Sequence, residues 1–231
     1  MNDLVPQSPQ SQARVRRVLN VGSGAPGGGR LHPGFEDGAW REVRLDIDPA
    51  VNPDIVASVI DLKSVVADES FDAIWSSHSL EHLHTHEVIP ALQEFRRVLR
   101  PDGFALVTCP DLAAIARFAL ANGVEAVAYS SPAGPVRPLD MIYGHAHSIA
   151  AGRVHMAHNT GFTAERLVRV ALAAGFHEVR VIAGARFDLW AALTREQADC
   201  AALAKPFRDT EAETLFAASE AKAQRPDVAP G

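Results

Sequence analysis

Eight of the ten histidines fall into two clusters: His78, His82, His84 and His86, then His145, His147, His155 and His158. Imidazole titrates nearer neutrality than any other side chain, so such clusters suit proton transfer; they also suit transition-metal ligation. Three chemistries compete. In the first, the histidines are loop and cap residues that only pack. In the second, one of His78, His82 and His145 takes a proton from an acceptor during a displacement reaction. In the third, His78, Glu81 and His82 hold an ion. His78-Ser-Leu-Glu81-His82 is an H-x-x-E-H string, which one class of zinc peptidases carries on a helix. Here it begins at the end of Phe71–Ser77, an apolar run that reads as a strand, and that context argues against a peptidase. The sequence by itself assigns no metal.

The elements around these residues are legible. Val18–Val21 is an apolar run that stops in Gly22-Ser23-Gly24, a turn that lets a ligand approach the backbone closely. A second run, Glu42–Asp48, ends in acid. A carboxylate at such a strand tip can accept both hydroxyls of a ribose, which nominates Asp46; Asp48 is the alternative and suits a turn cap before Pro49. Further strands are expected at 54–58, 71–77 and 103–109. Between the last two, Val88, Leu92, Phe95, Val98 and Leu99 follow helical spacing over 87–100, closed by Pro101-Asp-Gly103. Asp111 reads as the N-cap of a helix to Ala121, and Thr163 as the cap of another to Ala174. Between these helices, 123–159 is irregular and Pro-rich, as lids and binding loops often are; Arg137, Tyr143 and Arg153 are its lesser candidates. Val179–Ile182 and Phe187–Leu193 read as an antiparallel pair.

In order and spacing the segments resemble the class I S-adenosylmethionine-dependent methyltransferases, type 11-like. The matching stretches are Leu19-Asn-Val-Gly-Ser-Gly24, Leu45-Asp-Ile-Asp-Pro49, Phe71 to Leu83, Glu94 to Gly103, and Gly161-Phe-Thr163 with Ala173-Ala-Gly-Phe176. They span roughly Val15 to Thr194. The resemblance implies an α/β fold: a doubly wound, mostly parallel seven-stranded sheet, Rossmann-like, with an antiparallel closing strand. It implies S-adenosylmethionine as cofactor. Asn20, Gly22, Ser23 and Gly24 would then surround the amino-acid end, Asp46 and Ile47 the ribose, and Ser58, Val59 and Asp61 the adenine. Ser77 would lie near the methyl group, with His78 or His82 beside it and His145 folded over it. In some such enzymes Glu-x-x-Glu-His and a distant His bind a divalent ion; here His78 replaces the first Glu. Other departures are Asn20 and Ser58, where relatives often carry acids. The segment after Gly24 is too rich in Gly and Pro for the helix relatives usually place there. Either that helix is lost or the loop forms part of the site wall.

Composition narrows the class. With 47% hydrophobic residues in 231, one large core is expected, over 15–195 with 123–160 as an insertion or lid. Residues 1–14 read as a disordered lead-in and 196–231 as a peripheral helix or tail. A net charge of -6 without a Lys/Arg run argues against a nucleic-acid groove. No apolar run is long enough for a membrane span, and no signal pattern opens the chain. Cys109 and Cys200 make no disulfide framework, so a cytoplasmic setting is expected. The expected partner is a small-molecule or glycan-precursor acceptor, methylated on oxygen or nitrogen. The rival is a non-catalytic binding or scaffold protein of the same fold, favoured by the altered glycine loop and Ser58. The oligomeric state stays open.

Overall fold

The computed structural model describes residues 14–27, 31–131 and 134–217. The expected lead-in therefore lies outside the described residues except for Arg14, as do part of the glycine loop, Pro132 and the last residues of the tail. The chain runs β1 (Arg16–Val21), β2 (Trp40–Asp46), β3 (Ile55–Val56), β4 (Phe71–Ser77), α1 (Val88–Val98), β5 (Leu99–Pro110) and α2 (Leu112–Asn122). It continues through β6 (Tyr129–Ser131), β7 (Gly134–Val136), α3 (Pro138–Tyr143), α4 (Ala146–Ala150) and α5 (Ala164–Ala173). It ends with β8 (Glu178–Ala183), β9 (Asp188–Thr194), α6 (Cys200–Leu203) and α7 (Glu213–Phe216).

Seven strands form one sheet in the order β3-β2-β1-β4-β5-β9-β8. The ladders from β3 through β5 are parallel, and β9 is antiparallel to both β5 and β8. The expected doubly wound sheet with an antiparallel closing strand is thus observed. Chain order reverses between β1 and β4, the kind of crevice where ligands of open α/β sheets bind.

Alternation along the strands builds two cores. Leu19, Ile74, Ala105 and Val107 face α1 and α5, whose Val88, Leu92, Phe95, Leu167 and Ala171 are buried against them. Val18, Ala73, Trp75, Phe104 and Leu106 face the opposite way. There the cover is a 3-10 turn at Pro33–Phe35 and the C-terminal segment, which inserts Phe35, Phe207, Leu215 and Phe216. The segment expected to be a peripheral helix or tail is therefore part of the interior up to Phe216. Among the described residues between Gly22 and Trp40 there is no α-helix, only that 3-10 turn.

Three other local expectations change. β3 has two residues, because it is the sheet edge and pairs only with Leu45 and Asp46. α1 ends at Val98, and Pro101-Asp-Gly103 lies inside β5 as a bulge: Phe71 pairs with Leu99, and Ala73 already pairs with Phe104. Pro101 has no N–H for the ladder, which favours looping out at that point. The 123–159 connection is not irregular. It holds the β6–β7 pair, α3, α4 and a 3-10 turn at Val154–Met156.

Candidate active site

A cavity of about 680 Å³ opens at the carboxyl ends of β1 to β4. Its wall includes Gly22 and Gly24 after β1, Asp46, Ile47 and Asp48 at the end of β2, Ala57, Ser58 and Val59 after β3, and His78 and Ser79 after β4. Gly22 and Gly24 have φ of 64° and 62°, the left-handed region that glycine enters without penalty. A Cβ at Gly22 would collide with Ser79 Oγ, a hydroxyl that donates to the Val21 carbonyl at 3.1 Å. The turn is therefore packed against the segment that follows β4, and its backbone borders the cavity.

Asp46 organises this wall. One carboxylate oxygen accepts from Gly24 N–H at 2.9 Å and the other from Asp48 N–H at 3.0 Å. Each oxygen keeps a further lone pair for a hydroxyl. Asp48 caps the 3-10 turn at Pro49–Val51 by accepting from Ala50 N–H at 2.8 Å. Arg44, absent from the sequence expectations, bonds the Gly24 carbonyl and donates to the carbonyls of Asn52 at 2.9 Å and Val51 at 3.0 Å. It ties the glycine turn to the β2–β3 loop.

Four residues nominated as cofactor contacts lie outside this wall. Asn20 is buried and donates to Glu42 Oε1 of β2 at 2.6 Å, so its amide is engaged within the sheet. Ser23 is buried, its hydroxyl 3.5 Å from the Gly24 carbonyl. Asp61 is exposed and closes a turn through its N–H on the Ser58 carbonyl at 3.2 Å. Ser77 lines a second cavity instead.

That second cavity, about 350 Å³, shares His78, His82 and Met156 with the first. The rest of its wall comes largely from the 123–160 connection and the β8–β9 turn: Tyr129, Asp140, His145, His158, Arg186 and Phe187 among others. His78 and Phe187 both hold left-handed backbone, with φ of 50° and 59°. Such strain in non-glycine residues gathers at functional sites.

The two histidine clusters meet here in part. The Glu81 carbonyl accepts from Asn159 N–H at 2.8 Å and Thr160 N–H at 3.2 Å. Asn159 Nδ2 donates to the His82 carbonyl at 2.8 Å. The rings of His82 and His158 make an edge contact, centroids 4.9 Å apart. His78 Nδ1 is 3.1 Å from Oε1 of Glu81, whose side chain is 1% exposed. Burial pushes the Glu81 carboxyl up, but the His78 hydrogen bond, with the pull of His78 and His82 when those rings are protonated, outweighs it and holds it below its ordinary value. Burial pushes His158 down. His155 and Arg153 reach the first cavity. His84 and His86 are exposed and stacked on each other, and His147 is exposed on α4; none lines either cavity. Tyr143 is 64% exposed, also outside both. Asp111 is the N-cap of α2. Met156, Tyr129 and Arg186 carry no motif or periodicity, so only the fold reveals them.

Residues 19–107 match the family model described as a methyltransferase domain. Solved structures of similar fold include a protein from Pyrococcus horikoshii, 16% identical over 80% of this chain and 84% of that one, with a TM-score of 0.51. A second is an S-adenosylmethionine-dependent methyltransferase from Thermotoga maritima, described as a possible histamine N-methyltransferase, 15% identical over 84% of each chain, TM-score 0.50. A third is the CMeT domain of the citrinin polyketide synthase, 15% identical over 81% of this chain and 48% of that one, TM-score 0.51. No curated protein sequence matches the chain. The matched segment runs from β1 into β5 and carries the glycine turn, Asp46 and the H-x-x-E-H string, set on the strand order described above. Over residues 19–107 the chain is similar to the methyltransferase domain family, on a fold shared with S-adenosylmethionine-dependent methyltransferases of known structure.

Proposed function

We propose that the protein methylates an oxygen or nitrogen of a small molecule, with glycan precursors included in that class, and that the acceptor occupies the second cavity. The observation that carries this reading is the shared wall: His78, His82 and Met156 border both cavities. When bound, S-adenosylmethionine supplies a methyl group already activated by its sulfonium, the electron pair of the broken bond returning to sulfur. Gly22 and Gly24 offer backbone to its amino-acid end, Asp46 with Ile47 takes the ribose, and Ser58 with Val59 borders the adenine. His78 receives the acceptor proton. Its Nδ1 is held by Glu81, which fixes Nε2 as the basic nitrogen, the logic by which a carboxylate orients a catalytic imidazole. His82 closes the wall between the cavities, and His145, bonded through Nδ1 to Ser148 Oγ at 2.8 Å, orients the acceptor from the far side. Most of the work left to the chain is alignment, because the leaving group needs no further activation.

A volume of about 350 Å³ suits a compact acceptor rather than a polymer, so no nucleic acid enters this reading. No helix among the described residues is long and apolar enough to cross a membrane. Cys109 and Cys200 are free, in keeping with a cytoplasmic setting.

Thermal unfolding with and without S-adenosylmethionine and its demethylated product tests the cofactor half. Ligand at a hundred times its dissociation constant adds about 2.7 kcal/mol. Absence of any shift at millimolar ligand would overturn it and favour the non-catalytic binder. Transfer of labelled methyl to a panel of small hydroxyl and amine acceptors tests the other half.

A further inference from the structure

We propose that Glu81, His82 and His158 bind a divalent transition-metal ion, with zinc the best chemical match, at the wall of the second cavity. One ligand atom from each of these residues lies within 4.8 Å of the other two, a spacing that small side-chain rotations close around an ion with bonds of about 2.0–2.2 Å.

Three observations separate this cluster from a chance grouping. Glu81 is buried, and while Oε1 meets His78, Oε2 has no hydrogen-bond partner among the described residues. A buried, unpaired carboxylate oxygen is expensive, and a cation removes the penalty. Next, both imidazoles are oriented through their other nitrogen. His82 Nδ1 lies 3.0 Å from the Ala157 carbonyl and His158 Nδ1 lies 2.9 Å from the Met141 carbonyl. A carbonyl only accepts, so Nδ1 carries the proton in each ring and Nε2 keeps the lone pair, the arrangement by which proteins hold metal-binding histidines. Finally, the ligands sit on a frame made before any ion arrives. Asn159 and Thr160 clip the connection to the Glu81 carbonyl, and the Asn159 side chain clips it to the His82 carbonyl.

The ligand set differs from the local string. His78 bonds the carboxylate from outside, and His158 supplies the third ligand from the connection. Two imidazoles and one carboxylate suit zinc better than magnesium or calcium, which prefer all-oxygen sites. All three residues border the second cavity, so a fourth position is open to water or to an oxygen of whatever molecule binds there. The inference concerns metal binding and stands apart from the methyl-transfer reading.

The test is Co²⁺ titration of the chelator-stripped full-length protein, read by visible d–d absorption, with Zn²⁺ affinity measured by competition against a chromophoric chelator. The expected result is one ion per chain, with affinity lowered roughly tenfold or more in His158→Gln and in His82→Gln. Thermal unfolding of both variants without metal separates lost ligation from lost fold. His84→Gln/His86→Gln, which removes the exposed stacked pair, leaves the affinity unchanged. Absence of Co²⁺ bands at stoichiometric metal overturns the proposal. So does binding that survives in folded His158→Gln, or that disappears with His84 and His86, which would mark an adventitious surface site.

Discussion

The two cavities share a wall but are encoded differently. The larger is made mainly from strand ends: a glycine turn after β1, a carboxylate at the tip of β2, a short segment after β3. Each piece is local, and the parallel sheet brings the tips together by topology alone. The smaller takes Ser77 and Glu81 from one end of the chain's core, Tyr129 to His158 from the connection, and Arg186 and Phe187 from a turn. In the proposed function, cofactor recognition would rest on backbone and one acid, and acceptor recognition on side chains that only tertiary folding makes neighbours.

Separate loss of the two functions is the sharpest form of that contrast. His78→Gln is expected to lower kcat by about 10²- to 10⁴-fold while cofactor affinity, measured by calorimetry, changes less than about threefold. A kcat loss below tenfold would remove His78 from the role of proton acceptor.

The next largest effect concerns the loop that leaves the cofactor turn. Its far end is fixed by His32, buried against Phe35, Trp75, Trp190 and Phe207, with Nδ1 accepting from Gly34 N–H at 3.0 Å. Burial lowers the His32 pKa from 6.5 to about 4. The unfolded chain thus takes up this proton first as pH falls. The contribution is complete above pH 6.5 and is lost progressively as pH drops towards 4, about 3 kcal/mol in all. Urea unfolding across that range should show this slope in the wild type and not in His32→Asn. Equal slopes would show that His32 does not anchor the loop as a neutral group.

Asp46→Ala should weaken binding of the demethylated cofactor roughly 10- to 100-fold, since it removes a charged acceptor and frees the Gly24 N–H. Unchanged affinity would mean that the ribose is held elsewhere. The smallest expected change is in Tyr129→Leu: acceptor KM rising about threefold, with cofactor affinity unaltered, for loss of one weak polar contact. A change in cofactor affinity here would erase the distinction between the cavities.

How far the sequence could be read follows the same division. β4, α1 and α5 stand within a few residues of their expected bounds, because buried runs and helical spacing are local signals. The opposite face of the sheet was not legible. Phe207, Leu215 and Phe216 sit in an Ala-rich, charged segment that reads as peripheral, yet they cover the sheet face beside the Pro33–Phe35 turn, and the described residues between Gly22 and Trp40 hold no α-helix. Asn20 and Asp61 have suitable chemistry near the expected positions, but a hydrogen bond to Glu42 engages the first and a turn exposes the second.

The sequence by itself determined the glycine turn, the acid after β2, the strand runs and the two amphipathic helices of one face, since each depends on neighbours within a few residues. Only the tertiary structure decided that His158 stands beside His82 and Glu81, that Ser77 belongs to the second cavity, and that His84 and His86 belong to neither. The contact between His82 and the Ala157 carbonyl spans 75 positions. No periodicity or turn signal records such a distance. It is set by the packing of the connection over the sheet, which buries Met141 and places Tyr129 and Phe187 ring against ring.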